Sequence, residues 1–590
     1  MKKVKLFSFA LAALMLGACT SEDVIDNGGN QTVLPGEKGY ISLGINLPTT
    51  PSTRATNTNN DQFADGTPEE YAVNDAALLI FEGTDEERAT FTGGYDLVNL
   101  SGNSVGGNIT SQYKVTTSIT KPTQGDIYAL VVVNRGKVLA EEDGTWTLNG
   151  TPLTSATTLA SFNQVAQTIS ASDLASTDKG FFMTNAPLYS VPGGVLSQAP
   201  NGKLSTLTLI NAENVYSTEA EANANPAASV YVERAVAKVT VKGTNGKLTT
   251  NNNIAYDCQG WTFDVTNNKT YLVRNMSDAN NWWAYNVSSN YRFVGSAAVG
   301  PNLFRTYWGV DPNYTGFTSD DFTKKTGTAP KDKELTAMYT DENPVAGYCL
   351  ENTFNVANQN QDQTTRVIVA AKLGDGSDFY IINNDKGTLY DLDAVIKAIK
   401  AEYLANPDVV KALKDPTTGL IPGNSIGEDD LEVAFDESKE ETGGNLPVAE
   451  VTINKSSLFP NNQIPEVLTE EGNTDIITAV NAGKKVSYYK GGIAYYPVMI
   501  QHFGDDLTPW SDTDAQNGVS YPAPNAENNW LGRYGVLRNN WYEINVTGIR
   551  DIGYAEVPEV YNTPDDPVNS YISVEINVLS WAKRTQDVNL

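Results

Sequence analysis

One short segment, Tyr40-Ile-Ser-Leu-Gly-Ile-Asn-Leu47, constrains the fold more than any other stretch of the chain. Its apolar residues Ile41, Leu43, Ile45 and Leu47 fall at every second position, and such a set shares a face only on an extended backbone. The segment predicts a half-buried strand that Pro48 and Pro51 end. Comparable runs occur at Ala77–Phe81, Ile127–Val133, Gly180–Tyr189, Val230–Val241, Trp261–Val265, Thr270–Val273, Arg366–Leu373 and Phe379–Ile382. More follow at Val448–Ile453, Val486–Tyr489, Ile493–Gln501, Tyr542–Ile549 and Tyr571–Leu579. Loops of Thr, Ser, Asn and Gly separate them, which argues for a mostly β chain built as sandwiches rather than an α/β sheet.

One segment reads as a helix. Leu389, Leu392, Val395, Ile396, Ile399 and Tyr403 recur near helical spacing over 389–404, and Asn406-Pro407 stops it. Asp408–Leu413 adds a turn or two. Residues 415–446, rich in Gly, Pro, Asp and Glu, read as a long solvated loop. The turn cluster Lys242–Gly246 marks a domain boundary, since 590 residues suffice for more than one core.

The net charge of −29 repels phosphate backbones and argues against nucleic acid as a partner. Three cysteines do not make a disulfide scaffold. Cys258 and Cys349 read best as two small buried thiols.

The first residues carry a targeting signal. Lys2, Lys3 and Lys5 precede the apolar run Leu6–Leu16, and Leu16-Gly17-Ala18-Cys19 closes it. The run is too short to span a bilayer as a mature helix. Its end resembles a lipobox, which implies cleavage before a lipidated Cys19 and attachment to a membrane. Thr20-Ser21-Glu22-Asp23 resembles an acidic surface-export tag. Residues 20–39 read as a tether.

The two ends of the chain echo each other. Tyr40-Ile-Ser-Leu-Gly-Ile-Asn-Leu47 matches Tyr571-Ile-Ser-Val-Glu-Ile-Asn-Val578, and only Gly44 and Glu575 differ in kind. Ile572, Val574, Ile576 and Val578 repeat the apolar set of Ile41, Leu43, Ile45 and Leu47. A last strand shaped like the first can occupy the same slot in another copy, a known mode of strand complementation. Four buried aliphatic side chains contribute about 1.5–3 kcal/mol each to such a contact. The first strand must leave beforehand. Thr53-Arg54-Ala55 lies in the polar stretch 52–61, where a protease reaches the backbone, and a cut between Arg54 and Ala55 releases everything before it.

Catalytic signatures are weak. His502 is the one histidine and reads as structural. Gly102–Gly106 and Gly423–Gly427 fit a nucleophile-elbow spacing without the strand-to-helix setting it needs. Asp429-Asp430 and Asp505-Asp506 lack an EF-hand frame. Trp282-Trp283-Ala284-Tyr285 could stack on a sugar, which would suit a monomeric glycan-binding surface lipoprotein. The expectation is a protein that is not an enzyme and holds no cofactor or metal.

Several segments together resemble the major fimbrial subunits of Bacteroidales (fimbrillins, type V pilins), especially their minor-fimbria branch. They are the lipobox at Cys19, the strand ending in Thr53-Arg54-Ala55, Val232-Glu-Arg-Ala-Val-Ala-Lys-Val239 and Tyr348-Cys-Leu-Glu-Asn-Thr-Phe354. Tyr495-Tyr-Pro-Val-Met-Ile-Gln-His-Phe503, Gly535-Val-Leu-Arg-Asn-Asn-Trp-Tyr542 and the last strand, ending at Trp581, complete the order. The resemblance implies two transthyretin-like Greek-key β-sandwich domains, with one helix and long loops in the second. It implies a lipoprotein precursor at the outer membrane, cut after Arg54 by an arginine-specific protease. It also implies a fibre of copies of the chain, joined through 571–590 and accompanied by anchor and tip pilins. The expected map is a signal peptide at 1–19, a tether and removable strand at 20–54, domains at 55–245 and 246–570 with an insertion about 400–446, and a donor strand at 571–590.

Overall fold

The computed structural model describes residues 32–580 apart from 48–65, 99, 105–110, 124, 166–168, 177, 190–203, 252, 276–292, 295–302, 306–310, 315–320, 331, 340–343, 355–357, 503–533, 564 and 566–571. Cys19, the 20–23 tag, Arg54, Ala55, Trp282–Tyr285 and Asp505-Asp506 lie outside the described residues.

The chain is mostly β. Its first sheet uses β1 (Lys38–Leu47), β2 (Ala76–Gly83), β3 (Thr90–Leu97), β4 (Ser101–Ser104), β5 (Ser111–Thr120), β6 (Asp126–Val133), β7 (Met183–Asn185) and β8 (Ala228–Arg234). They lie in the order β3-β2-β6-β7-β8-β1-β5-β4. The two arms of this path share one apolar core, which takes Leu78, Ile80 and Leu130 from one arm and Ile41, Leu43, Ile45, Leu47, Val115 and Ile119 from the other. The arms approach where Thr120 N donates to Tyr95 Oη at 3.3 Å.

The second half forms two facing sheets around another core. One runs in the order β11 (Ala346–Leu350), β9 (Val236–Lys242), β18 (Asn540–Ile549), β19 (Ile572–Ser580). The other holds β10 (Ala255–Asp264), β12 (Arg366–Leu373) and β17 (Ile493–Met499). Val239, Tyr542, Ile544 and Val574 from the first sheet meet Trp261, Val369, Tyr496 and Val498 from the second.

A third apolar cluster belongs to residues 379–489, which leave the second sheet after β12 and return just before its neighbour β17. This lobe contains β13 (Phe379–Ile382), β14 (Leu431–Phe435), β15 (Val448–Ile453) and β16 (Val486–Tyr489). Its helices include Leu392–Ala405, Pro407–Leu413, Glu437–Thr442 and Thr474–Gly483. Asp391 starts the first by accepting from Ala394 N at 2.8 Å. Asn406 ends it and caps the next, accepting from Asp408 N at 2.9 Å. Val395, Ile399 and Tyr403 are buried, as the helical spacing predicts, but the helix starts only at Leu392, and Leu389 and Leu392 of the same set are exposed.

Several expectations need correction. The segment 415–446 is not one solvated loop, because Leu431, Phe435 and Leu446 pack into the lobe core. The second half has more than the one expected helix, since Glu437–Thr442 lies in this segment and Thr474–Gly483 follows it. Val230–Val241 is two strands, since the chain changes sheets at Ala235. Thr270–Val273 is not a strand. Its polar backbone is satisfied by side chains, Leu272 O accepting from Thr184 Oγ1 at 2.8 Å and Val273 N donating to Asn163 Oδ1 at 2.9 Å. Gly180–Tyr189 breaks into short pieces. The tether reading fails by Val33, which is buried in the first core.

The two halves share a strand arrangement. In the first, β7 is antiparallel to β8, β8 parallel to β1, and β1 antiparallel to β5. In the second, β11 is antiparallel to β9, β9 parallel to β18, and β18 antiparallel to β19. The counterpart of β1 in the second half is therefore β18, and the counterpart of β5 is β19. Among the described residues, β19 is the last strand of its sheet.

Candidate functional site

The candidate site is the slot that β1 fills. Parallel pairing with β8 places Leu43, Gly44, Ile45 and Asn46 beside Ala228, Ser229, Val230 and Tyr231. Antiparallel pairing with β5 runs the whole length of β1, from Lys38 opposite Thr120 to Leu47 opposite Ser111. The strand is thus an inner one with ladder hydrogen bonds on both edges.

Ile41, Leu43, Ile45 and Leu47 point into the first core and are at most 1% exposed. The half-buried expectation fails on the other face, where Ser42, Gly44 and Asn46 are buried too. The helix Glu219–Ala224 packs against β1 and β5 there, which a period-2 pattern cannot reveal. Asn223 ties it down, its Oδ1 accepting from Thr116 Oγ1 at 2.7 Å and its carbonyl from Lys114 Nζ.

Asn46 is the buried polar residue of the Ile-Asn pair that the two end strands share. Its Oδ1 accepts from Gln112 Nε2 at 2.8 Å, and its Nδ2 donates to Val230 O at 3.2 Å. An apolar residue there would forfeit both contacts, the one to Val230 O in a buried place. Burial raises the phenols of Tyr113 and Tyr231 above their ordinary range, so both stay neutral beside the slot. Lys114 is the only charged residue in β5.

The glycines set the limits of what can enter. A Cβ at Gly39 would sit 2.6 Å from Val215 Cγ1 and 2.9 Å from the Tyr216 carbonyl, which no small shift relieves. At Gly44 the nearest atom is Gln112 Nε2 at 3.1 Å, the end of a flexible side chain. A side chain at position 39 therefore meets fixed atoms, whereas one at position 44 needs only a shift of the Gln112 amide, which is bonded to Asn46. The match to the last strand begins one residue after Gly39, at Tyr40.

The last strand β19 lies on its own chain's β18, with Ile544 opposite Ile576 and Val546 opposite Val574. Its backbone puts Ile572, Val574, Ile576 and Val578 on one face, and Val574 is buried in the second core. A signal missed in the sequence also appears. Glu543-Ile-Asn-Val546 of β18 is identical to Glu575-Ile-Asn-Val578, and β18 is the counterpart of β1.

The other candidate residues gather no site. His502 is buried, with Nδ1 2.6 Å from Tyr542 Oη, itself an acceptor from Leu537 N at 2.8 Å. Asp430 binds Lys455 at 2.5 Å. Cys349 is buried and Cys258 partly so, both as free thiols. Gly102–Ser104 lie in β4, and Gly423–Gly427 in coil before a short 3-10 turn. Among the described residues no acidic, histidine or cysteine cluster could hold a metal, and no helix is long and apolar enough to cross a membrane.

Residues 487–587 match the family described as major fimbrial subunit protein type IV, fimbrillin, C-terminal. That span includes β17, β18 and β19. Over it the chain is of the fimbrillin type, and the reading as a fimbrial subunit stands on this match. No curated protein matches the chain. Among solved structures it is similar to a "putative cell adhesion protein" of Parabacteroides distasonis, 11% identical, with a TM-score of 0.34 over 92% of this chain and 99% of that one. A fimbrial assembly protein of the same species is 12% identical, with a TM-score of 0.26 over 57% of this chain and 83% of that one. At such scores the fold assignment rests on the chain's own sheets.

Proposed function

We propose that this fimbrial subunit is exported as a lipoprotein through Cys19, cut between Arg54 and Ala55, and polymerised by strand exchange into a surface fibre that serves adhesion and biofilm formation. The segment 571–578 of one copy fills the slot vacated by 40–47 in the next. The observation that carries this reading is the seat of β1. It is an inner strand buried on both faces, so its loss leaves two ladder edges and an apolar trench that only a strand of the same pattern can close. Among the described residues, the strand of that pattern that lies at a sheet edge is β19. A structural subunit of this kind needs no catalysis and no cofactor. Its partners are further copies, anchor and tip pilins, the processing protease, and the outer membrane until the cut.

The test is the N-terminus of the protein recovered from the cell surface. A start at Ala55 in fibres, and accumulation of unpolymerised lipidated precursor for Arg54→Ala, is the expected result. Fibres whose subunits begin at Cys19 would overturn the proposal.

A further inference from the structure

The one position at which the two end strands differ in kind lies opposite the one charge on β5. Gly44 is the cross-strand partner of Lys114 on one side and of Ser229 on the other. Directly opposed residues of an antiparallel pair project on the same face, with Cβ atoms about 5 Å apart. A strand 571–578 entering in the register of 40–47 brings Glu575 to the place of Gly44. A Cβ there meets the end of the Gln112 side chain at 3.1 Å and Ser229 Oγ at 3.5 Å, with no backbone atom among its nearest neighbours. The covering helix carries two carboxylates, Glu219 and Glu221. Glu221 accepts from Ser217 Oγ at 3.0 Å. An incoming carboxylate at position 44 finds Lys114 directly across the ladder, an exposed residue whose Nζ donates to the Asn223 carbonyl.

We propose that Lys114 is a positioning residue for the incoming copy, pairing with that copy's Glu575 and so fixing the register and identity of the donated strand. The proposal rests on the strand-exchange reading. It assigns the pair two tasks. A slip of one residue would turn the apolar set of the donor out of the core. A slip of two keeps the apolar face inward, so the aliphatic residues alone cannot reject it. It moves Glu575 off Lys114 and Asn577 away from Gln112. Before the cut, Gly44 offers the cation no carboxylate, so the chain's own strand holds the slot by its ladders, its apolar face and Asn46 without this pair.

The experiment uses the full-length chain cut after Arg54 with an arginine-specific protease, and follows oligomers over time on gels without boiling. Four chains are compared: wild type, Lys114→Glu, Glu575→Lys and the double exchange. Each single variant should assemble about five- to tenfold more slowly than wild type, as like charges replace an opposed pair. The double exchange should recover the wild-type rate. Mixed with differently tagged wild type, it should form separate rather than mixed oligomers. Thermal melts of the uncut chains identify any variant that fails to fold, and Lys114→Gln serves in place of Lys114→Glu if needed, with a smaller slowing. Equal rates for all four chains, or no recovery in the double exchange, would overturn the pairing while leaving strand exchange intact. Absence of oligomers from cut wild type would instead overturn the strand-exchange reading.

Discussion

A chain carrying Gly548→Cys and Ser573→Cys is expected to stay monomeric after the cut at Arg54 when oxidised, and to assemble when reduced. The two positions are cross-strand partners on β18 and β19, the first pair after the register shift that skips Thr547. Opposed residues of an antiparallel pair have Cα atoms about 4.5–5.5 Å apart, within the range a disulfide spans. A Cβ at Gly548 meets nothing within 4 Å, so the new side chain enters open space. The native thiols should stay out of the exchange, since burial raises both Cys258 and Cys349 above the usual thiol range. A disulfide here pins the last strand to its own sheet and removes the donor without changing the slot. Equal assembly of the oxidised and reduced chains, read on gels, would exclude the last strand as the donated segment.

The second large effect concerns the junction of the two cores. Glu70, on the helical turn Pro68–Tyr71, reaches into the second half and is 1% exposed. Its carboxylate meets Lys238 Nζ at 2.7 Å, Tyr348 Oη at 2.5 Å and Thr67 N at 3.0 Å. Burial by itself would raise this carboxyl, but Lys238 and the hydrogen bonds outweigh it and hold it below the ordinary range. Glu70→Gln leaves Lys238 buried with little but the Trp541 ring, 3.9 Å away, to balance its charge. The expected loss is about 3–5 kcal/mol, the usual result of removing one partner of a buried pair. Lys238→Met added to Glu70→Gln should return much of it. Denaturant midpoints of the three chains check both statements, and an unchanged midpoint for Glu70→Gln would contradict the account. The sign with pH follows. A carboxyl lowered by folding contributes stability in full above its unfolded pKa of about 4.3. That contribution is lost as pH falls through the folded value. Wild type should weaken across that window more than Glu70→Gln does.

Much of the strand content was legible. Arg366–Leu373 and Phe379–Ile382 are strands with the bounds their composition predicts, and Ile41, Leu43, Ile45 and Leu47 do share one buried face. Covering elements were not legible. Period-2 alternation reports one face of a strand, and the helix over Ser42, Gly44 and Asn46 comes from residues 219–224, far along the chain. The break at Ala235 was hidden because both strands around it are apolar, so the pattern runs on while the backbone changes sheets. The buried loop at Leu272 and Val273 looked like a strand because side chains of Thr184, Asn163 and Arg538 do the work that a neighbouring strand would. For the site, the sequence echo pointed to β1 and β19. Their actual neighbours, and so Lys114 opposite Gly44, needed the register.

The lobe at 379–489 has a consequence of its own. It departs from β12 and returns at β17, and these two strands pair directly, with Lys372 opposite Ile493. Its entry and exit therefore sit side by side, and its core draws on residues that neither sheet of the second half needs. Phe379 and Tyr489 stack at 4.4 Å across this neck. An insert held in that way is an exchangeable cassette. It can lengthen, shrink or change its exposed residues while the two host strands keep their ladder, so variation in what the chain presents is uncoupled from the sheets that hold it together.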